Sequence, residues 1–169
     1  MHGWREGHAA AVASRPATDA EIAAQCRERY TDLNPNLTSE PVERFVARDG
    51  DAQVRVYVSE PDTWMIVCRS DSFDVWVVMG TQMEQGANDR IALFGAEDSV
   101  LKGNLLLGRL PTGTTAIRAR LVSGRVITGS HDSEVFVLWT TTEDSFRGAR
   151  LTATRADGSV IAAAVAPSP

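Results

Sequence analysis

Residues 115–164 of this chain hold two similar segments, TAIRARLVSGRVITG at 115–129 and GARLTATRADGSVIAA at 148–163, with EVFVLWT at 134–140 between them. The two segments align without a gap at an offset of 34 residues, so that Ser123-Gly124 matches Asp157-Gly158. Ser-Gly and Asp-Gly pairs between strand-like runs favour two-residue turns, because glycine accepts positive φ at no steric cost. The stretch therefore predicts two β-hairpins with a strand between them.

The first hairpin separates an apolar face from a charged face. Apolar residues alternate with Arg118 and Arg120 along IRARL at 117–121, and alternation of this kind indicates a half-buried strand. A two-residue turn would place Leu121 opposite Val126 on the apolar face. Two copies are fewer than the three or so units that a stable repeat array needs. We therefore interpret the segments as two hairpins of one antiparallel domain.

The chain before the hairpins predicts one helix and several short strands. Thr18-Asp19-Ala20-Glu21 has the form of a capping box, and Ile22, Cys26 and Tyr30 recur every four residues, so we expect a helix from about residue 19 to 30 or 32 with these three side chains on one face. Alternating and apolar runs predict strands at 53–59, 63–69, 73–79, 91–94 and 105–107. Residues 37–48 fit no single element, and 80–90 reads as a polar loop.

The predicted fold is mainly β: an antiparallel, two-layer β-sandwich-like domain with one N-terminal α-helix packed on a sheet. Strands 63–69, 73–79 and 135–139 are apolar on both faces, which indicates that both faces are covered, one by a second sheet and the other by the helix. A chain of 169 residues fits one domain with a sizeable core. We place that domain at 18–165, between a flexible N-terminal tail at 1–17 and a C-terminal tail at 166–169.

Composition excludes some classes of function. A net charge of −5 and the absence of a basic run argue against nucleic acid as a partner. No stretch approaches the 18 or so apolar residues that cross a bilayer, and the N-terminus lacks the apolar core of a signal peptide. A membrane anchor or export signal would therefore lie outside this sequence.

The two cysteines, Cys26 and Cys68, predict a disulfide bond. The helical period places Cys26 on the apolar helix face, and strand alternation places Cys68 with Trp64 and Ile66 on a face expected to meet that helix. Their Cα atoms should then lie roughly 4.4–6.8 Å apart. The alternative is a pair of buried free thiols, which behave as small apolar side chains. A stable bridge would indicate an oxidising compartment.

The best catalytic candidate is the tetrapeptide His131-Asp132-Ser133-Glu134, which offers a base, two acids and a hydroxyl. Neighbours in sequence seldom converge, because a nucleophile, a base and an orienting group are assembled in space. We therefore interpret it as a polar turn and predict no catalytic residues. The sequence also has no phosphate-binding glycine loop, no HExxH and no GxSxG.

Metal and cofactor sites are not predicted either. His2 and His8 flank a segment with nothing to fix their geometry, and Asp62, Asp71 and Asp74 lack the glycine-centred spacing of a calcium loop. Two distant cysteines do not make a zinc site. Tryptophans within apolar strands favour core packing over a carbohydrate platform; these are Trp64, Trp76 and Trp139.

Taken as a pattern, GRLP at 108–111, the two hairpins and EVFVLWT resemble uncharacterised extracytoplasmic domains of actinobacterial membrane-anchored or secreted proteins. The helix with Cys26 and Tyr30, followed by Cys68, is similar to the N-terminal half of those domains. The resemblance covers about residues 20–163 and implies no catalytic residues.

Two functions are therefore expected. The first is a non-catalytic extracytoplasmic domain that binds, senses or spaces at the cell envelope, with an unknown protein or small ligand as partner and contact with the membrane only through an outside anchor. The second is a small enzyme that uses His131 with an acidic partner from the 80–104 loop. The expected location is extracytoplasmic, either secreted or membrane-tethered, and the alternative is cytoplasmic.

Overall fold

The computed structural model describes residues 17–33, 39–59, 64–71, 75–82, 88–97, 104–141 and 144–167. Within these residues the chain forms one helix, α1 (Asp19–Leu33), followed by short strands. The strands are β1 (Val42–Asp49), β2 (Ala52–Ser59), β3 (Trp64–Ser70), β4 (Val75–Gln82), β5 (Ala92–Glu97), β6 (Leu105–Arg109), β7 (Ala116–Arg120), β8 (Val126–Thr128), β9 (Ser130–His131), β10 (Val135–Trp139), β11 (Arg150–Thr154) and β12 (Val160–Val165).

The described strands form three antiparallel, four-stranded sheets. The N-terminal sheet has the order β1-β2-β3-β4, the central sheet β5-β6-β10-β9 and the C-terminal sheet β12-β11-β7-β8. The prediction of a mainly β, antiparallel fold with one N-terminal helix on a sheet is confirmed. The strands form one more sheet than a single two-layer sandwich holds, so the sandwich arrangement occurs twice.

The sheets stack because their strands are apolar on both faces. Helix α1 covers one face of the N-terminal sheet, and the other face of that sheet packs on the central sheet. The far face of the central sheet packs on the C-terminal sheet. Strand β10 shows the alternation directly, since Val135 and Val137 face the N-terminal sheet while Phe136 and Leu138 face the C-terminal sheet. Both covers of β10 are therefore sheets, whereas β3 is covered by a sheet and the helix.

The helix begins where the local sequence signal predicts it, and two strands reach into segments that were not predicted as strands. The backbone N–H of Glu21 donates to Thr18 Oγ1 at 3.2 Å, and Thr18 Oγ1 lies 3.2 Å from Glu21 Oε1, so Thr18 caps the N-terminus of the helix. All of β1 except its last residue, Asp49, lies in the segment 37–48, and β4 continues to Gln82 into the predicted 80–90 loop. Residues 83–87 of that loop and most of the two predicted tails lie outside the described residues.

The hairpin turns differ from the predicted two-residue turns. The Leu121 N–H donates to the Arg125 carbonyl and the Gly124 N–H to the Leu121 carbonyl, and Gly124 has a φ of 91°. This is a three-residue turn in which the glycine forms a bulge. The extra residue shifts the register, so Val126 pairs with Arg120 and not with Leu121. Val126 is consequently 48% exposed and Ile127 is buried in its place.

The two hairpins lie side by side through their first strands. Strands β7 and β11 pair with Arg118 opposite Thr152, and these residues are equivalent in the 34-residue alignment. On either side of this pair, each residue of β7 again faces a residue of β11 in a symmetric arrangement. The C-terminal sheet is therefore approximately two-fold symmetric about the Arg118–Thr152 pair. The symmetry brings the exposed positions of both hairpins onto one outer face.

Candidate functional site

The outer face of the C-terminal sheet carries a groove of about 360 Å³, which we call the arginine groove. Along β7 and β11, Ile117, Ala119, Leu151 and Ala153 point into the core, so the alternating residues point outward. The groove is lined by these outward residues and by one from β8: Arg118, Arg120, Val126, Arg150, Thr152 and Thr154. Rigid strands position its side chains.

The strand register places two positive charges side by side. Arg120 is directly opposite Arg150, and Arg118 lies two residues before Arg120 on the same face of β7. Side chains directly opposite in an antiparallel pair have Cβ atoms about 4.5–5.5 Å apart, and like charges there are destabilising. Among the residues that the structure describes, no carboxylate forms an ion pair with any of these three arginines. Within the described part of the chain, these three guanidinium groups therefore have no neutralising carboxylate.

Other arginines of the chain do have acidic partners. Buried Arg55 lies 3.0 Å from Glu43 and 3.4 Å from Asp19, and Arg125 pairs with Asp144. The Arg48 guanidinium beside Asp19 holds the pKa of that carboxyl below its ordinary value. The chain carries more acidic than basic residues, so a lack of carboxylates does not explain the groove.

Apolar side chains close both ends of the row that contains the two facing arginines. Val126 pairs with Arg120 and Val165 pairs with Arg150, and their exposures are 48% and 64%. Guanidinium groups donate in a planar fork that matches carboxylate and phosphate oxygens. Together with the hydroxyls of Thr152 and Thr154, these donors suit an anion that carries an apolar substituent.

The structure places His131 where its ring nitrogens contact backbone. Nδ1 lies 2.8 Å from the Asp132 carbonyl oxygen and Nε2 lies 3.1 Å from the Thr115 carbonyl oxygen. A carbonyl oxygen only accepts hydrogen bonds, so whichever ring nitrogen carries a proton donates to the carbonyl oxygen that it faces. His131 thus ties the β9 strand to the start of β7.

The acidic neighbours of His131 are also engaged. Asp132 Oδ1 accepts the N–H groups of Glu134 and Val135 at 2.8 and 2.9 Å, and Asp132 Oδ2 lies 2.6 Å from Arg44 Nε. Arg44 belongs to β1, so this turn fastens the N-terminal sheet to the central one. The geometry of the predicted polar turn is that of a structural clasp.

Two substitutions of Asp132 should separate the parts of this clasp. We expect Asp132→Asn to retain the turn and lower the free energy of unfolding by about 1 kcal/mol, because only the pairing with Arg44 is lost. Asp132→Ala should cost about 2–3 kcal/mol, because two backbone N–H groups also lose their acceptor. Urea unfolding measures both. Equal losses for the two variants would contradict the assignment of Oδ1 to the turn.

Cys26 and Cys68 lie at disulfide distance, as predicted. The sulfur atoms are 2.04 Å apart and the Cα atoms 6.0 Å apart, and both residues are buried. The bridge joins α1 to β3 within the cluster that contains Tyr30 and Tyr57. Burial raises the pKa of Tyr57 to about 12.

The remaining candidates give no site. Within the described ranges, no group of three or more metal-ligating side chains is close enough to hold an ion; His2, His8, Asp62 and Asp74 lie outside those ranges. Trp139 packs against the core between the N-terminal and central sheets, with the Arg69 guanidinium 5.4 Å from its ring centroid. That position agrees with core packing.

The arginine groove is the main structural feature that points to a function. In the described parts of the chain, no helix has both the length and the apolar character needed to cross a membrane. No protein-family model, no curated protein and no solved structure matches this chain.

Proposed function

We propose that this chain is a non-catalytic extracytoplasmic binding domain whose arginine groove binds an anionic ligand. The observation that carries the proposal is the pair Arg120 and Arg150, which face each other across two strands with no carboxylate partner among the described residues. Such a pair lowers the stability of the unliganded protein. A bound anion would supply the missing negative charge, so the arrangement is explained by binding.

The disulfide supports the extracytoplasmic part of the proposal. Cys26 and Cys68 are buried and joined across helix and sheet, and stable bridges of this kind persist in oxidising compartments. The resemblance to actinobacterial extracytoplasmic domains points the same way.

The turn at residues 131–134 supports the non-catalytic part. A general base needs a nitrogen or oxygen that can accept a proton from a substrate. Both ring nitrogens of His131 lie within hydrogen-bond distance of backbone carbonyl oxygens, and Asp132 is held by Arg44 and two backbone N–H groups. Catalysis by these residues would require the clasp between the sheets to open.

The proposal predicts opposite effects of one substitution on stability and binding. We expect Arg120→Gln to raise the free energy of unfolding of the unliganded protein by about 0.2–1 kcal/mol, because it removes the like-charge pair. The same variant should bind anions about tenfold or more weakly, because a charge-assisted hydrogen bond is lost. Urea unfolding gives the first quantity. NMR titrations with sodium phosphate and with sodium acetate, each at constant ionic strength, give the second.

Arg155→Gln is the matched control, because it removes one arginine from the same sheet outside the groove. Arg155 is exposed in the second hairpin turn, where its guanidinium donates a hydrogen bond to Ser159 Oγ at 3.2 Å. The control should bind both anions as the wild type does. If neither phosphate nor acetate shifts resonances of the groove, or if both variants respond as the wild type does, the proposed function is wrong.

A further inference from the structure

We infer that the arginine groove selects a phosphoryl group, carried on an apolar substituent, over a carboxylate; this inference rests on the proposed function. Three guanidinium groups surround one groove, and each presents a fork of N–H donors. A carboxylate has two oxygens, and a single arginine can occupy both. A phosphoryl group has three terminal oxygens, so each guanidinium can face an oxygen of its own.

The backbone register sets the three arginines at the corners of a triangle. Arg120 and Arg150 are directly opposite, which places their side-chain origins about 5 Å apart. Arg118 lies two residues before Arg120 on the same strand face, about 7 Å away. Long side chains rising from such a triangle can converge on one compact group above the sheet. A planar carboxylate at that point would leave one guanidinium without an oxygen.

Charge also favours a phosphoryl group. A phosphate monoester carries a charge of about −1.5 to −2 near neutral pH, whereas a carboxylate carries −1. Three arginines that lack an ion-pair partner among the described residues are therefore neutralised more fully by the phosphate. The hydroxyls of Thr152 and Thr154 line the same groove and add donors that suit further ester or terminal oxygens.

The apolar ends of the arginine row describe the rest of the ligand. Val126 lines the groove beside Arg120, and Val165 lies beyond Arg150. Both valine side chains are exposed on the outer face of the C-terminal sheet. A substituent attached to the phosphate would lie across one of these valines and remove apolar surface from water. An ester with an apolar group should consequently bind more tightly than inorganic phosphate.

The test compares phenyl phosphate, inorganic phosphate and benzoate by NMR titration at constant ionic strength. Phenyl phosphate and benzoate share the aromatic ring and differ in the anionic group. We expect phenyl phosphate to bind at least tenfold more tightly than benzoate and more tightly than inorganic phosphate. In Arg118→Gln this selectivity should fall towards unity, because the third guanidinium is gone. Arg155→Gln should retain it.

The outcomes separate the two proposals. If benzoate binds as tightly as phenyl phosphate and Arg120→Gln weakens both, the phosphoryl preference is wrong and the anion-binding function stands. If none of the three compounds binds, both proposals are wrong. Unchanged selectivity in Arg118→Gln would also overturn the inference, because the third arginine would then have no part in it.

The same chemistry occurs in soluble phosphate esters and in phospholipid headgroups, and vesicles distinguish these sources. Flotation with phosphatidylcholine vesicles that contain phosphatidic acid, compared with phosphatidylcholine alone, measures binding to a headgroup. Phosphatidic-acid-dependent flotation that is lost in Arg120→Gln would support a headgroup ligand. Phenyl phosphate binding without flotation would support a soluble ester. Flotation that persists in Arg120→Gln would count against the groove as the lipid-binding site.

Discussion

Removal of the disulfide in a Cys26→Ala, Cys68→Ala double variant should lower the free energy of unfolding by about 4 kcal/mol. The bridge joins residues 42 positions apart, and closing a loop of that length in the unfolded chain accounts for a loss of about this size on the chain-entropy model. For a domain of this length, the midpoint of thermal unfolding should fall by roughly 10 °C. Calorimetry and urea unfolding of the two proteins measure the difference.

The structural effect should be concentrated in the helix. The bridge holds α1 on the N-terminal sheet, while the cluster between the central and C-terminal sheets contains neither cysteine. Hydrogen exchange should therefore quicken most in α1 and least in β7 and β11. Wild-type protein with a reductant is the matched control and should behave as the double variant does. If reductant and substitution both leave stability unchanged, the bridge contributes nothing and the main support for an extracytoplasmic location is lost.

The helix and its bridge could be predicted because their signals are local. The Glu21 N–H donates to Thr18 within the first helical turn, and the four-residue spacing of Ile22, Cys26 and Tyr30 defines one face. Strand alternation then places Cys68 on the opposing surface. Each step uses only the period of one element, and these periods are fixed by backbone geometry. The apolar face of the helix and the apolar face of β3 then bury each other.

The arginine groove could not be predicted because it depends on register and on pairing between distant strands. Gly124 adopts a positive φ and adds a bulge, which turns Val126 outward beside Arg120. The pairing of β7 with β11 brings Arg150 beside Arg120 across 30 positions of sequence. Hydrophobic alternation shows which face of a strand is wet, but it does not show which wet faces become neighbours. The matching Ser-Gly and Asp-Gly turns are the available signal. They identify the two hairpins but do not show that β7 pairs with β11.

Strand β10 is buried on both faces, between the N-terminal and C-terminal sheets. Phe136 is fully buried against the C-terminal sheet, and its ring fills the space over Gly108 in the neighbouring strand β6. A Cβ atom added at Gly108 would lie 2.9 Å from that ring and 2.1 Å from the Ala92 carbonyl oxygen. Glycine at position 108 and phenylalanine at position 136 therefore form one packed unit.

Phe136→Ala should lower the free energy of unfolding by about 3–5 kcal/mol, because it removes buried ring contacts and leaves a cavity between two sheets. Phe136→Leu retains much of the volume and should cost less. Val126→Ala shortens a half-exposed side chain in the C-terminal sheet and should change stability by no more than about 0.5 kcal/mol. Urea unfolding of the three variants provides the comparison. A loss for Phe136→Ala as small as that of Val126→Ala would mean that the central and C-terminal sheets do not pack through this ring.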